Sequence, residues 1–301
     1  MQRKFVIGDE WLYYKIYCGP KIADEILTNI INPLQKELKE NQIIDKWFFI
    51  RYGDPKPHIR VRFHYNKPEN VSIIINAINK QIGPLVKKDI INKVQIDTYN
   101  RELERYGANT MELTESLFAF DSEMIVDFLD LIEGDEGEVI RWLFGMRAVD
   151  SLLSCFLYDE EKKLNIMEGL KEGFGREFGM NKMLKLQLDK KFRNERKLIN
   201  EIFLDKYVDE DITELMNLLD LKSEKIIPVA EKIIELDKEG KLERSLNDFM
   251  GSYIHMLLNR LFKTQQRVHE MVIYDFLYRY YKSELAKKKY KPQTASSESH
   301  T

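Results

Sequence analysis

The hydrophobic pattern of this sequence changes period once, near Met111, and no other feature constrains the fold as strongly. Before that point, apolar and polar residues alternate in short runs bounded by Gly and Pro, which is typical of β-strands. After it, apolar residues recur every three to four positions over long stretches, which is typical of amphipathic helices. The sequence therefore predicts an α+β protein with an N-terminal sheet and a helical remainder.

Four strands and two helices are predicted before Met111. The strands are expected at residues 11–17, 47–52, 58–63 and 94–99, and the helices at residues 21–40 and 69–82. The resulting order is β-α-β-β-α-β, which is the order of a split βαβ or ferredoxin-like unit. Its sheet is expected to be mostly antiparallel, with the helices on one face.

Seven helices are predicted in the remainder, at residues 111–132, 137–157, 161–172, 187–203, 210–236, 241–262 and 265–287. The junction near Gly107 is short, so the two halves are expected to pack together rather than hang on a flexible linker. We expect a ferredoxin-like subdomain at 1–110 and a helical subdomain at 111–287. A polar, disordered tail is expected at 288–301.

Composition excludes several classes of function. The 47 Lys and Arg residues nearly balance the 50 Asp and Glu residues, with a formal net charge of −3, so no direct contact with nucleic acid is expected. No run approaches the ~20 apolar residues of a membrane span, and the first ten residues lack the apolar run of a signal peptide, which predicts a cytoplasmic protein. The two cysteines are far apart and the five histidines lack metal-ligand spacing, so no metal site is expected.

Two arginines on the third predicted strand form the first candidate site. Arg60 and Arg62 are two positions apart, so both side chains leave the same face of the strand, while Ile59, Val61 and Phe63 face the helices. Two adjacent guanidiniums can bind a carboxylate through paired hydrogen bonds. The strand pattern alone favours a different interpretation, in which this basic sheet face is covered by solvent.

Three further residues could carry chemistry. Glu102 and Arg105 follow the fourth strand at i and i+3, a spacing that fits an ordinary surface ion pair as well as a carboxylate that orients an arginine. His255 lies in a strongly apolar helical stretch, with Asn259 at i+4 on the same face. A histidine can move a proton near neutral pH, but a partly buried core histidine is the more common case.

Five segments together resemble one protein family. They are WLYYKIYCGP (11–20), WFFIRY (47–52), PHIRVRF (57–63), YNRELERYG (99–107) and HMLLNRL (255–261). In this order and spacing they resemble the C-terminal domain of lantibiotic dehydratases, which is also found as a stand-alone thiopeptide-type bacteriocin biosynthesis protein. The resemblance extends over roughly residues 9–285.

The resemblance implies a lyase that eliminates glutamate from glutamylated Ser or Thr of a ribosomally made precursor peptide, leaving dehydroalanine or dehydrobutyrine. It implies that a separate glutamyl-tRNA-dependent glutamylation protein first esterifies the hydroxyl, so that protein and the precursor peptide are the expected partners. No cofactor is expected. By motif position, the resemblance implies that His255 handles a proton, that Arg60, Arg62 and Arg105 bind the glutamyl group, and that Glu102 orients an arginine.

Two other functions stay open. Stand-alone relatives include pyridine synthases of thiopeptide pathways, which join two dehydroalanines by a formal cycloaddition and expel the leader peptide. The joint presence of the five site residues favours elimination over cycloaddition. The third interpretation is a non-catalytic scaffold that binds the glutamylation protein or the precursor peptide. A homodimer is compatible with a stand-alone domain of this kind, but no residue assigns one.

Overall fold

The architecture combines a small antiparallel sheet with a larger helical part. The structure, a computed structural model, describes residues 1–132, 136–206 and 210–290. The strands in these ranges are β1 (Lys4–Phe5), β2 (Trp11–Tyr17), β3 (Lys46–Tyr52), β4 (His58–His64), β5 (Lys93–Asp97) and β6 (Tyr99–Asn100). The helices are α1 (Pro20–Ile26), a π-helical turn (Leu27–Ile31), α2 (Asn32–Glu40), α3 (Asn70–Lys87), α4 (Leu103–Tyr106), α5 (Met111–Leu131), α6 (Glu136–Cys155), α7 (Glu160–Glu177), α8 (Lys182–Phe203), α9 (Glu210–Lys238), α10 (Leu246–Leu261) and α11 (Gln266–Tyr290).

The main sheet has four strands in the spatial order β3-β4-β2-β5, and every neighbouring pair is antiparallel. The mixture of helices with a small antiparallel sheet near the N-terminus confirms the α+β prediction. The predicted strand at 94–99 is wrong in its extent, because β5 ends at Asp97. Tyr99 and Asn100 instead pair with β1 in a separate two-stranded sheet, which the hydrophobic pattern did not predict.

One face of the main sheet packs on the helices that connect its strands. The apolar side chains that β2, β3 and β4 place on this face are buried and form one cluster with those of α1, the π-helical turn and α3. Burial of each such side chain contributes roughly 1.5–3 kcal/mol to the stability of the fold. The prediction that alternate residues of β4 face the helices is therefore confirmed, for Ile59, Val61 and Phe63.

The opposite face, which carries Arg60 and Arg62, is partly covered by the second half of the chain. α5 lies along β3, and the ring of Phe118 packs on Phe48 at 5.6 Å between centroids. α10 contacts β3 as well. The connection between the halves is tight, because α4 ends at Tyr106 and α5 begins at Met111. The two halves pack together, as the short junction predicted.

Several helix boundaries differ from the sequence prediction. α8 begins at Lys182 instead of residue 187, and α10 begins at Leu246 instead of residue 241, each behind an N-cap side chain that accepts a backbone hydrogen bond. α11 continues to Tyr290, so the first three residues of the predicted tail are helical, and residues 291–301 lie outside the described residues. Within the described ranges, none of the helices combines the length and the apolar character that a membrane span needs.

Candidate functional site

The predicted site residues come from three elements that meet beside one face of the sheet. β4 provides Arg60 and Arg62, whose side chains leave the face of the sheet at the site. The start of α4 provides Glu102 and Arg105, and α10 provides His255. These elements are far apart in the sequence, so the arrangement depends on how the two halves pack.

Arg62 is buried, at 7% relative exposure, so the face that carries it is not the solvent-covered face that the strand pattern alone favoured. Its guanidinium carbon lies 4.3 Å from the ring centroid of Tyr13, 4.7 Å from that of Tyr99 and 5.0 Å from that of Phe48. Aromatic faces attract a cation at these distances. Burial lowers the pKa of the Arg62 guanidinium, but an arginine stays protonated in proteins.

The Nε and Nη1 groups of Arg62 are buried and donate to no acceptor in the described part of the chain. Other buried arginines are paired with carboxylates. Arg101 donates two hydrogen bonds of 2.7 Å to Glu115, and Arg51 lies 2.6 Å from Asp24. A buried cation without such a partner is costly, and an anion that enters the site would stabilise it.

Arg60 is held by its neighbours on the same face. Its guanidinium carbon lies 3.5 Å above the ring of Tyr52, and its Nε donates a 3.0 Å hydrogen bond to Nε2 of His58. Nδ1 of His58 in turn donates to the Lys56 carbonyl at 2.8 Å. His58 therefore uses Nδ1 as donor and Nε2 as acceptor, which requires the neutral ring. Burial lowers the pKa of His58, which favours the same neutral state.

Glu102 forms an ion pair with Arg105. Its Oε2 is 3.7 Å from Nη1 of Arg105, and Nε of Arg105 donates to the Ser252 hydroxyl at 3.3 Å. Glu102 also lines a narrow cavity with Arg62, under the rings of Phe48 and other aromatic residues. This cavity has a volume of about 30 Å³, enough for about one or two waters. Because its side chain is 64% exposed, Glu102 forms the solvent side of the cavity.

His255 lies one helical turn after Ser252 on α10, so the two side chains share a face of the helix. Its Nδ1 is 2.8 Å from Oε1 of Glu270, a fully buried carboxylate, while the His255 side chain is 27% exposed. Asn259 also bonds to the sheet, because its side-chain oxygen accepts from the backbone N–H of Arg51 and its amide donates to the Arg51 carbonyl, both at 2.9 Å.

The structure brings the predicted residues together unequally. Arg62 and Glu102 line one cavity, and Glu102 contacts Arg105. His255 lies one helical turn after Ser252, the residue that accepts from Arg105. Arg60 lies on the same face and donates a hydrogen bond to His58. Among the residues that the structure describes, no cluster of three or more His, Cys, Asp or Glu side chains could hold a metal ion.

Sequence reasoning missed two kinds of site residue. One is Glu270, which reaches His255 from the next helix, fifteen residues further along the chain. The other is the set of rings around Arg62, which come from β2, β3 and β6. Neither has a local signal, since both depend on elements that only the tertiary fold brings together.

Comparison with known proteins identifies the family of the chain. Residues 11–281 match the family described as the C-terminal part of lantibiotic biosynthesis dehydratases. The chain is 26% identical to the subtilin biosynthesis protein SpaB of Bacillus subtilis, over 88% of this chain and 25% of that protein. It is 29% identical to the nisin biosynthesis protein NisB of Lactococcus lactis subsp. lactis, over 92% of this chain and 26% of that protein. The chain thus spans about a quarter of the length of these relatives.

Solved structures show the same fold at lower identity. The tRNA dependent lantibiotic dehydratase MibB of a Microbispora species superposes with a TM-score of 0.73 at 19% identity, over 95% of this chain and 29% of MibB. TbtD, the pyridine synthase from thiomuracin biosynthesis, superposes with a TM-score of 0.58 at 12% identity, over 91% of this chain and all of TbtD. At these identities the superpositions speak for the fold alone. The match over most of the sequence identifies the family, and the chain belongs to the lantibiotic dehydratase C-terminal family.

Proposed function

We propose that this chain is the glutamate-eliminating lyase of a class I lantibiotic dehydration system. It would act on glutamylated Ser or Thr of a ribosomally made precursor peptide and leave dehydroalanine or dehydrobutyrine. The observation that carries the proposal is the buried guanidinium of Arg62, which lines a cavity with Glu102 and whose Nε and Nη1 have no acceptor among the described residues. A desolvated, unpaired arginine is suited to bind a carboxylate, and family membership supplies the substrate class.

The proposed reaction is a β-elimination without an oxidant or reductant. A base removes the proton from Cα of the modified residue, the Cα–Cβ double bond forms, and the Cβ–O bond breaks with its electron pair leaving on the glutamate carboxylate. His255 is the proposed proton carrier, since its ring is accessible and held by Glu270. Such proton transfer contributes about 10²–10⁴-fold to a rate. Arg60, Arg62 and Arg105 would bind the departing glutamate.

Access to Arg62 requires a small rearrangement. The cavity of about 30 Å³ is too small for a glutamyl side chain, since it holds only about one or two waters. Glu102, on the exposed side of the cavity, makes a long ion pair of 3.7 Å with Arg105. Exposed ion pairs contribute only about 0.2–1 kcal/mol. An entering carboxylate would therefore displace Glu102 at little cost and take its place beside Arg105.

The proposal also covers fold and partners. The strand order and antiparallel pairing support the ferredoxin-like classification of the β-α-β-β-α-β half. The precursor peptide is the proposed substrate, and transfer of glutamate from glutamyl-tRNA is assigned to a separate glutamylation protein. The cytoplasm is the proposed compartment, because aminoacyl-tRNA is found there.

Cycloaddition of two dehydroalanines is the second candidate function, supported by the full-length fold match to TbtD.

The test uses the purified 301-residue chain and a synthetic peptide with one glutamyl-ester serine, with no partner protein. Mass spectrometry should detect free glutamate and a dehydroalanine peptide. Arg62→Lys keeps the charge but loses the planar fork, and should lower kcat/KM by about 10–150-fold, which corresponds to the ~1.5–3 kcal/mol of one charged hydrogen bond. Arg193→Lys, on the exposed surface of α8, is the matched control and should react like the native chain.

Two results would contradict the proposal. A folded native chain that releases no glutamate from this peptide would favour the scaffold interpretation. A chain that leaves the ester intact but cyclises a peptide with two dehydroalanines, and releases its leader segment, would establish the cycloaddition instead. His255→Ala should let the glutamylated peptide persist, and elimination at the native rate would exclude the proton-carrier role.

A further inference from the structure

We infer that Glu270 is a positioning residue for His255. The Glu270 carboxylate keeps the proton of the neutral imidazole on Nδ1 and so leaves Nε2 as the nitrogen that exchanges protons with the substrate. The catalytic consequence of this arrangement rests on the proposed function. The arrangement itself follows from contacts around one fully buried carboxylate.

Each oxygen of Glu270 has a defined donor. Oε1 is 2.8 Å from Nδ1 of His255, and Oε2 accepts a 3.0 Å hydrogen bond from Nη1 of Arg267. A carboxylate can only accept, so Nδ1 of His255 must carry the hydrogen. The guanidinium of Arg267 keeps this buried group compensated as an anion. The hydrogen on Nδ1 leaves the electron pair of the neutral ring on Nε2.

A second donor to Oε1 of Glu270 restrains the carboxylate further. The Nε2 amide group of Gln266 donates to Oε1 of Glu270, and Oε1 of Gln266 accepts a 2.7 Å hydrogen bond from Asn259. The same Asn259 bonds to the backbone of Arg51 on β3. Gln266 also lies 3.4 Å from Nδ1 of His255, but that contact is longer than the carboxylate contact and joins two donors. The network thus runs from the sheet to the imidazole.

In this arrangement a buried carboxylate orients a histidine that can act as a base. If Nδ1 keeps its hydrogen, Nε2 can accept the Cα proton, and the Glu270 carboxylate stabilises the imidazolium that results. Without the negative charge at Glu270, the ring can carry its hydrogen on Nε2, where no electron pair then faces the substrate. Loss of the correct tautomer removes general base catalysis, which is worth about 10²–10⁴-fold.

The experiment measures the tautomer and the rate separately. The full chain is labelled with ¹⁵N-histidine, and ring nitrogen shifts are recorded at an alkaline pH where the imidazole is neutral. The signals of His255 are assigned by their loss in His255→Gln. Native protein should show hydrogen on Nδ1. Glu270→Gln should move hydrogen to Nε2 and lower kcat on the glutamyl-ester peptide by at least about 100-fold, with little change in KM.

Two variants sharpen the comparison. Glu270→Asp keeps an acceptor and should restore hydrogen on Nδ1 together with part of kcat. Glu177→Gln makes the same chemical change on the other carboxylate that contacts Arg267, at a partly exposed position without contact to His255, and should keep the native tautomer and rate.

Either of two results would overturn the inference. One is native protein with hydrogen on Nε2 of His255, a measurement that needs no folded variant at Glu270. The other is Glu270→Gln with native kcat. If the tautomer changes as expected but native protein releases no glutamate, the positioning role stands and the proposed function fails.

Discussion

Glu115 forms a buried ion pair with Arg101 beside the site, and its replacement by Gln measures what that pair contributes. The side chain is 1% exposed on α5 and accepts two hydrogen bonds of 2.7 Å from Arg101. It also accepts a 2.8 Å hydrogen bond from the hydroxyl of Tyr99. Glu115→Gln removes the charge and turns one acceptor into an N–H donor that faces a guanidinium.

The expected cost follows from burial. Removal of one partner of a buried ion pair costs about 3–5 kcal/mol, because the other charge stays desolvated. Gln keeps one acceptor oxygen for Arg101, so we expect the lower end of this range, about 3 kcal/mol. Glu112→Gln is the matched control, because it makes the same change one turn earlier on α5. Glu112 is 67% exposed and lies 3.7 Å from Arg101, so its loss should cost no more than about 0.5 kcal/mol.

Urea unfolding followed by circular dichroism and tryptophan fluorescence gives the free energy of unfolding, provided that the two transitions coincide. Equal shifts of the unfolding midpoint in Glu115→Gln and Glu112→Gln would refute the reasoning, since they differ mainly in burial. The double variant Arg101→Met with Glu115→Leu should be less destabilised than Glu115→Leu alone, because no charge is then left buried without a partner.

Two further predictions concern packing and pH. Gly145→Ala would place its Cβ 2.9 Å from Leu261 and 3.2 Å from Ile273, and should destabilise the fold by about 1–3 kcal/mol, whereas Gly169→Ala has open space and should stabilise it by about 0.5–1 kcal/mol. Thermal unfolding compares the two, and similar shifts would contradict the packing argument. Because burial lowers the pKa of His58, the unfolded state binds more protons than the folded state at acidic pH. The contribution of His58 to the free energy of unfolding should therefore be complete above the ordinary histidine pKa of about 6.5 and be lost as pH falls. His58→Gln should flatten that slope of stability against pH, and an unchanged slope would exclude this role.

Local periodicity predicted the four strands of the main sheet, apart from the end of β5, and the shared face of Arg60 and Arg62, because a period of two is a property of any extended backbone. It could not predict that Arg62 is buried, since the cover comes from α5 and from Tyr99, far along the chain. The lateral position of α10, which brings Ser252 within hydrogen-bond distance of Arg105, is equally non-local. Family resemblance grouped these residues without giving their geometry.

One boundary that differs from the sequence prediction could have been predicted from the sequence. Ser245 followed by Asp248 is a typical helix start, and the structure uses Ser245 as the N-cap of α10, so the later boundary was available from the sequence. The short pairing of Tyr99 and Asn100 with β1 was not, because two-residue strands carry no periodic signal. The contact of Glu270 with His255 could not be predicted either, since His255 lies on the preceding helix and spacing across a loop does not fix contacts.

The two halves of the chain share a structural problem whose solution also sets the site. β3 is an edge of the main sheet, and unpaired backbone groups at an edge invite pairing with other chains. The helical half supplies the missing partners, since Ser122 accepts from the N–H of Phe49 and Asn259 bonds to both backbone groups of Arg51. Asn259 also orients Gln266 toward the carboxylate that contacts His255. A shift of α10 would therefore unpair the strand edge as well as move the imidazole. His255 is consequently carried by the same helix whose Asn259 pairs with the edge of the sheet.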